Sequence, residues 1–590
     1  MISLLLIPSL MSPVAPVLPQ NECLIWRMST DATGTAGNGW CRKPSLSGDG
    51  DWIAFESGSS DLVPGDTNGL VDVFVRQVST GLIERVSVGF GGIEANAECV
   101  HASISYGGRY VTFESEASNL DPGVGDTAGF RDVFRHDRVT GTTRYVSVTT
   151  SGGLPNSNSG TGGLWRGSDI SGSGRFVVFS SSGTNVVTPD TNFSSDIFLR
   201  DMNLGTTTRV NVGAGGQANG NSQNPVISAD ATHVAYMSSA NNLVPGITNG
   251  GTLDIYRVNL TTLTPVRVSL ATDGSEPDLG CFEPDISDNG NAVAFQSFAT
   301  TLVPGDTNGE ADVFLRDVSA GTTERVSLTW DGQQIPSWSK APSVSPDGMH
   351  VAFVSNSNAV IAGGSGIQGV YLRDRAAATT TRWSESATGA IGFAGSDTPH
   401  VGAGGLSVAF ASLSVLEPND VNNMNDIYLR RCGPTATLFC RGSAALCPCG
   451  NVGVGFAGCE NSNATGGGHL NASGLASVQA DTVSLTASGL PGSEPILFFQ
   501  GTAAIAGGSG VPFGDGLRCV GGMVTRIGVK ISSGGVATYG IGGDIPLSIK
   551  GGIALVGQTL LYQGWYRDPT PFCTADGFNL TNGVSIVWAP

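Results

Sequence analysis

The sequence predicts an all-β fold: a seven-bladed β-propeller closed by an N-terminal strand, followed by a small antiparallel β-sandwich. Three observations predict it. A segment of about sixty residues recurs seven times, marked by Asp-Val-Phe-Val-Arg at Asp72–Arg76. Its relatives are Asp132–Arg135, Asp196–Arg200, Asp254–Arg257, Asp312–Arg316, a degenerate Gly369–Arg373 and Asp426–Arg430. Repetition at that period means an array of like supersecondary units. A second signature, Ser-x-Asp-Gly-x-x-Val-Ala-Phe-x-Ser, stands between the copies, as in Ser345–Ser355. No strong 3.6-residue period appears in the 590 residues, and the 85 glycines, about twice average usage, mark many tight turns.

The elements follow in chain order. Ile2–Met11 is an apolar run with no Lys or Arg before it, and the first basic residue is Arg27. Pro8, Pro13, Pro16 and Pro19 spoil a membrane helix there, so residues 1–20 read as an export segment. Each repeat then reads as four strands, a to d. In the fifth, strand a covers 282–287, a tight turn lies at Asp288-Asn289-Gly290, and strand b covers 292–297. A longer loop through Pro304–Gly309 leads to strand c at 312–318, and a two-residue turn leads to strand d at 324–328. Four short strands cannot bury both faces alone, so the units stack, and radial closure removes the end faces.

Counting strand d locates the closure. Its Arg-Val-Ser signature or a variant occurs at Arg85, Arg144, Arg209, Arg267, Arg325 and Arg382, and the seventh copy, Arg27-Met28-Ser29, precedes the first blade. The last strand c runs into Cys432 with no strand d after it. The N-terminal strand is therefore expected to complete the seventh blade. Alignment on the fifth blade sets Cys23 and Cys432 at the two positions that flank the missing c–d turn, which predicts a Cys23–Cys432 disulfide.

Ser345-Pro346-Asp347-Gly348 with Val351-Ala352-Phe353, together with the run from Asp312 to Asp317, resembles the TolB-like, PD40 family of WD40-type propellers found in exported bacterial proteins. The resemblance covers roughly residues 22–431 and implies the fold; it implies little about activity, because propellers host binding, scaffolding and catalysis alike.

Strand direction puts the longer d–a and b–c loops on one face, the expected binding face. The b–c loops carry Asp-x-Asn-x-x-x-Asp, complete at Asp66/Asn68/Asp72, Asp190/Asn192/Asp196, Asp306/Asn308/Asp312 and Asp420/Asn422/Asp426. Ala128 and Ile247 interrupt it in the second and fourth blades, and the sixth lacks it. Such oxygens suit Ca²⁺. The preferred alternative is structural: Asp and Asn close an Asx-type turn, and the second Asp pins the start of strand c. At the channel mouth, the starts of strands a bring Arg42, Lys43, His101, Arg166, Glu283 and Lys340 into one neighbourhood, a candidate site for an anionic ligand. Cys41 and Cys99 stand at matching positions of adjacent blades, where a bridge is conceivable though the spacing is wide. No His-Glu-x-x-His, P-loop or Gly-x-Ser-x-Gly elbow occurs, so the expected class is non-enzymatic.

Composition changes at Cys432. Residues 432–468 form a Cys-rich stretch, and 469–590 read as a β-sandwich with strands at 483–486, 496–500, 523–527, 559–566 and 584–588. With Cys432 in the clasp, six cysteines remain in this part. They allow fifteen pairings, of which Cys440–Cys449, Cys447–Cys459 and Cys519–Cys573 are expected; a zinc site is the rival. The stretch from Cys447-Pro448-Cys449 to Cys459-Glu460-Asn461 resembles a C-terminal module of secreted bacterial proteins.

A net charge of −19 argues against nucleic acid and anionic membrane as partners. The expectation is a secreted, periplasmic or cell-surface protein that binds a protein or surface polymer without catalysis. The alternatives are an extracellular glycan hydrolase or lyase using the channel, and a Ca²⁺-stabilised envelope component.

Overall fold

The computed structural model describes residues 23–588 except positions 79, 126–128, 161–165, 249, 387–388, 418–419, 421, 433–434, 441, 444–445, 454–456, 464, 474–475, 477–480, 482, 554–557 and 570–573. The export segment and Cys573 lie outside the described residues.

Seven four-stranded antiparallel sheets form a ring. In the fifth, Cys281–Ile286, Ala292–Ser297, Asp312–Asp317 and Thr322–Arg325 are hydrogen-bonded in sequence order. Both faces of each sheet are apolar because each blade lies between two others. Val293, Ala294 and Phe295 of strand b are all fully buried, which explains the unalternating Val-Ala-Phe triplet. Strands b and c also meet through an aromatic pair in every blade: Phe55–Phe74, Phe113–Phe134, Phe179–Phe198, Tyr236–Tyr256, Phe295–Phe314, Phe353–Tyr371 and Phe410–Tyr428, at 5.6–6.0 Å between centroids. Such pairs contribute about 0.5–1.5 kcal/mol each beyond area burial.

The Ser-x-Asp-Gly signature is the a–b turn. The Gly348 N–H donates to the Ser345 carbonyl (2.8 Å), Met349 N–H to Asp347 Oδ1 (3.0 Å) and His350 N–H to Ser345 Oγ (2.9 Å). Gly348 sits at φ +73°, where a Cβ is disfavoured.

The ring closes through the N-terminal strand. Cys23–Arg27 pairs antiparallel with Asp426–Cys432, in a register that sets Cys23 opposite Cys432 and Arg27 opposite Tyr428. A disulfide joins Cys23 to Cys432 across a Cα separation of 4.1 Å and 409 residues of chain. Beyond the strand, Met28 N–H donates to the Ile427 carbonyl, and Ile427 N–H to Ser29 Oγ. A continuous apolar cluster joins Ala409, Ile427 and Leu429 of the seventh blade to Ile53, Phe55 and Phe74 of the first. One d-strand assignment shifts by a residue. Tyr145, not Arg144, lies opposite Phe134 as Arg85 lies opposite Phe74, and Arg144 turns outward to Asp121.

The C-terminal part is a sandwich of a five-stranded and a three-stranded antiparallel sheet. The larger has the order Thr435–Phe439, Phe578–Val587, Thr559–Arg567, Pro495–Gly501, Thr525–Ile531. Its first strand lies inside the stretch that the sequence set apart as Cys-rich. Leu470, Leu485, Phe498, Tyr562, Ile586 and Trp588 fill the core between the sheets.

Cysteine pairing here differs from expectation. Cys447 pairs with Cys459 (Cα–Cα 5.7 Å), but Cys440 pairs with Cys519 (6.0 Å), which excludes Cys440–Cys449 and Cys519–Cys573. The reason is topological. Gly516–Arg518 leads Cys519 to the end of Thr435–Phe439, and a Cβ at Gly510 would fall within 3 Å of both sulfurs.

Candidate binding channel and loop face

The Asp/Asn loops hold an arginine. In the first blade, Arg85 Nη1 lies 3.0 Å from Asp66, 3.3 Å from Asp72 and 2.7 Å from Glu94. Arg209 stands likewise between Asp190 (4.0 Å) and Asp196 (2.9 Å), and Arg325 between Asp306 (3.5 Å) and Asp312 (3.1 Å). In the seventh blade Arg27, contributed by the N-terminal strand, stands between Asp420 (3.4 Å) and Asp426 (3.6 Å). The fourth blade, without its first Asp, places Arg267 between Asp254 and Glu276.

Each Asn closes its own turn: Asn68, Asn192, Asn308 and Asn422 accept from the N–H two residues on, at 2.9–3.0 Å. The second Asp accepts from strand d, as Asp312 Oδ1 does from Ser327 Oγ (2.7 Å). A guanidinium thus stands between the two carboxylates that would flank a cation. Chelator is expected to leave the melting temperature unchanged, and calorimetry to show no Ca²⁺ heat; a chelator-dependent drop in differential scanning calorimetry would contradict this.

The channel-mouth residues divide into separate groups. Arg42 pairs with Glu56, which is fully buried, and stacks on Trp40. Lys43 Nζ meets His101 Nε2, and His101 Nδ1 lies 3.3 Å from the buried Glu114. Burial lowers the Lys43 pKa, against the opposing pull of Glu56. Lys340 donates to Asp397 (3.0 Å), which also accepts from Gln368. Arg166 alone of the six reaches the cavity deeper in the channel.

Glu56 and Glu114 were not singled out from sequence. They follow Ile53-Ala54-Phe55 and Val111-Thr112-Phe113 of strand b, where other repeats carry Ser180, Met237 or Val354, and a charge at that place was the available signal. They also stabilise a bulge in strand a. The residues at Lys43, His101, Asn224, Glu283, Ala341 and Thr398 have φ of +49° to +57°, beside a register shift in six blades. Left-handed backbone costs roughly 1 kcal/mol or more per non-glycine residue. His101 N–H donates to Glu56 Oε2 (2.8 Å), and Gly167 N–H to Glu114 Oε1 (2.7 Å), each across a blade boundary.

Beyond the bulge, strands a surround a cavity of about 100 Å³, at the end of the channel formed by the short a–b turns. Ser45, Ser103, Arg166, Asp169, Asp285 and His400 are among its lining. Three of these side chains cap the neighbouring blade. Ile104 N–H donates to Ser45 Oγ (3.3 Å), Ile227 N–H to Asp169 (2.9 Å) and Val344 N–H to Asp285 (2.7 Å). The free edge of strand a thereby finds acceptors, as buried backbone requires. Burial raises the Asp285 pKa to about 6, despite the Val344 amide and Arg166, and raises that of Asp169. Burial, then Arg166, lowers His400 to about 3, so its imidazole is neutral.

A carboxyl raised by folding contributes stability below its unfolded value of 3.8, and that contribution is lost as pH climbs through about 6. Asp285→Asn retains an acceptor for Val344. It is expected to raise the melting temperature at about pH 8 and leave it unchanged at about pH 4. Equal shifts at both pH values would contradict the assignment.

Cys41, Cys99 and Cys281 are free and fully buried, so the conceivable Cys41–Cys99 bridge does not form. Cys41 and Cys281 donate to Ser57 and Ser297 of their own blades, where Ser222 and Ser396 bond Ser238 and Ser412 elsewhere. Burial pushes the Cys41 and Cys281 thiols up to about 12. They act as serine equivalents, not nucleophiles.

Sheets, clasp and channel define a closed seven-bladed β-propeller with a C-terminal sandwich. No protein-family model and no curated protein sequence matches the chain. Among solved structures it is similar to an oligogalacturonate lyase in complex with manganese, at 12% identity and TM-score 0.41, covering 69% of this chain and 93% of that one. It is also similar to a putative TolB from Agrobacterium tumefaciens, at 19% identity and TM-score 0.31, covering 55% and 94%. The TolB of Acinetobacter baumannii stands at 13% and 0.32, covering 59% and 65%. These likenesses are ones of fold. No helix among the described residues is long and apolar enough to cross a membrane.

Proposed function

We propose that the chain is an exported binding protein that engages a protein partner through the long-loop face of the propeller, without catalysis. The observation that carries this reading is the state of the channel. Its cavity of about 100 Å³ compares with about 30 Å³ for one water and about 300–1,000 Å³ for a ligand pocket. Asp169 and Asp285 of its lining already hold backbone amides. Apolar exposure supports the loop face instead. Phe90, Trp330 and Phe393 in d–a loops, and Phe193 and Phe298 in b–c loops, are 43–100% exposed. Aromatic exposure of this kind marks contact surfaces. The three disulfides among the described residues are in keeping with an oxidising compartment.

The test is a pull-down from envelope extract with the full chain and a Phe193→Ser/Trp330→Ser/Phe393→Ser variant, with and without chelator. A protein retained by the wild type, indifferent to chelator and lost with the variant, is the expected result. Polysaccharide turnover by the purified chain, abolished by Asp285→Asn, would establish the glycan-cleaving alternative instead.

A further inference from the structure

The outer face of the five-stranded sheet is a second surface, independent of the propeller. Antiparallel register aligns Val529, Leu497 and Trp565 in one row, and Ile531, Pro495 and the Tyr566 neighbour Arg567 in the next, with Arg567 opposite Phe578. The alternate residues Ile496 and Phe498 point inward and are fully buried, so these rows face outward. Val529 and Ile531 are 61% and 63% exposed, Trp565 38% and Phe513 42%. The rings form one cluster: Phe513 lies 5.1 Å from Phe578, which meets Trp565 edge-on at 5.4 Å.

The charge around this cluster runs against the rest of the molecule. Residues 469–590 carry five basic and six acidic residues, a balance of −1, against −18 for the remainder. Several of those acids are engaged: Asp544 with Lys530, Asp568 with Ser462, Asp515 with Thr574, and Asp481 with Ser548. Arg518, Arg526 and Arg567 have no carboxylate partner among the described residues, and Arg518 stands over the Phe513 ring at 5.8 Å. Arg526 and Arg567 are exposed.

We propose that this face binds an acidic polysaccharide, a uronate polymer, with sugar rings stacked on Trp565 and Phe513 and carboxylates held by Arg518, Arg526 and Arg567. The negative face of an aromatic ring attracts the C–H groups of a sugar face. A guanidinium fork suits a carboxylate. Apolar and basic groups side by side on one sheet face fit an extended polymer that presents the two chemistries in alternation.

The test is affinity electrophoresis of the full chain through gels containing alginate or polygalacturonate, with dextran as the neutral control. Retardation by an acidic polymer but not by dextran is expected, weakening as ionic strength rises. Trp565→Ala and Arg567→Gln should each weaken it about tenfold, roughly 1.4 kcal/mol, at unchanged melting temperature. Arg567→Gln alters only an exposed side chain, and it decides the matter if Trp565→Ala proves unstable. Absence of retardation by both acidic polymers would overturn the proposal, as would retardation that Arg567→Gln leaves intact. Flotation with phosphatidylglycerol vesicles that depends on Trp565, without polymer binding, would overturn it in favour of a membrane. Dimerisation lost in Val529→Asp, again without polymer binding, would overturn it in favour of a second copy.

Discussion

Replacing Cys23 and Cys432 together by serine is expected to lower the melting temperature of the propeller by about 2–6 °C. The disulfide spans 409 residues, and the loop-entropy relation sets a ceiling of about 6 kcal/mol, while native disulfides typically contribute about 2–5 kcal/mol. Unfolding entropy near 2.1 cal/mol/K per residue converts that range to the stated shift for a propeller of this size. The effect acts on the unfolded chain, because strand pairing and the apolar cluster between the seventh and first blades persist without the bond. Calorimetry of the double variant checks it, and a shift below about 1 °C would mean that the bond does not constrain the ring.

Asp312→Ala carries the second large effect, a loss of about 3–5 kcal/mol, the usual consequence of removing one partner of a buried ion pair. Asp312 is fully buried and accepts from Ser327 Oγ, Asn308 Nδ2 and the Arg325 guanidinium. Its removal leaves Arg325 buried against Asp306 at 3.5 Å, with Ser327 short of an acceptor. Asp312→Asn retains an oxygen for Ser327 and should cost less. The sixth blade shows what compensation requires. Gly369 stands at the equivalent position, and Arg382 turns to the Tyr371 hydroxyl (3.2 Å) and the Ser384 carbonyl (3.3 Å). Phe314 occupies the place of Tyr371 in the fifth blade and offers no such oxygen. Urea unfolding measures the loss, and a midpoint unchanged in Asp312→Ala would contradict the account.

The repeat was legible because its signatures are the residues that the blade cannot do without. Ser345, Asp347 and Gly348 make the a–b turn, Phe353 and Tyr371 stack, and Asp312 with Arg325 ties strand c to strand d. The clasp was legible for the same reason: Arg27 and Ser29 carry the strand-d pattern wherever they fall in the chain.

Other features left no such mark. The strand-a bulge places Lys43, His101 and Glu283 at positive φ without a glycine to announce it. Glu56 and Glu114 act across blade boundaries, which a blade-by-blade alignment does not reveal. The same holds for the channel, whose carboxylates cap amides about sixty residues away. The Cys440–Cys519 pair depends on how the sandwich strands cross, and spacing favoured the nearer Cys449. The mouth residues looked like a positive ring because their acidic partners lie on a different strand.

Peptide mapping without reductant is the direct test of a ring clasped by its own N-terminal strand. One linked peptide joining Cys23 to Cys432 in full yield is expected, with Cys41, Cys99 and Cys281 recovered as free thiols after unfolding. Recovery of Cys23 as a free thiol, or of Cys432 joined to a cysteine of the C-terminal module, would contradict it.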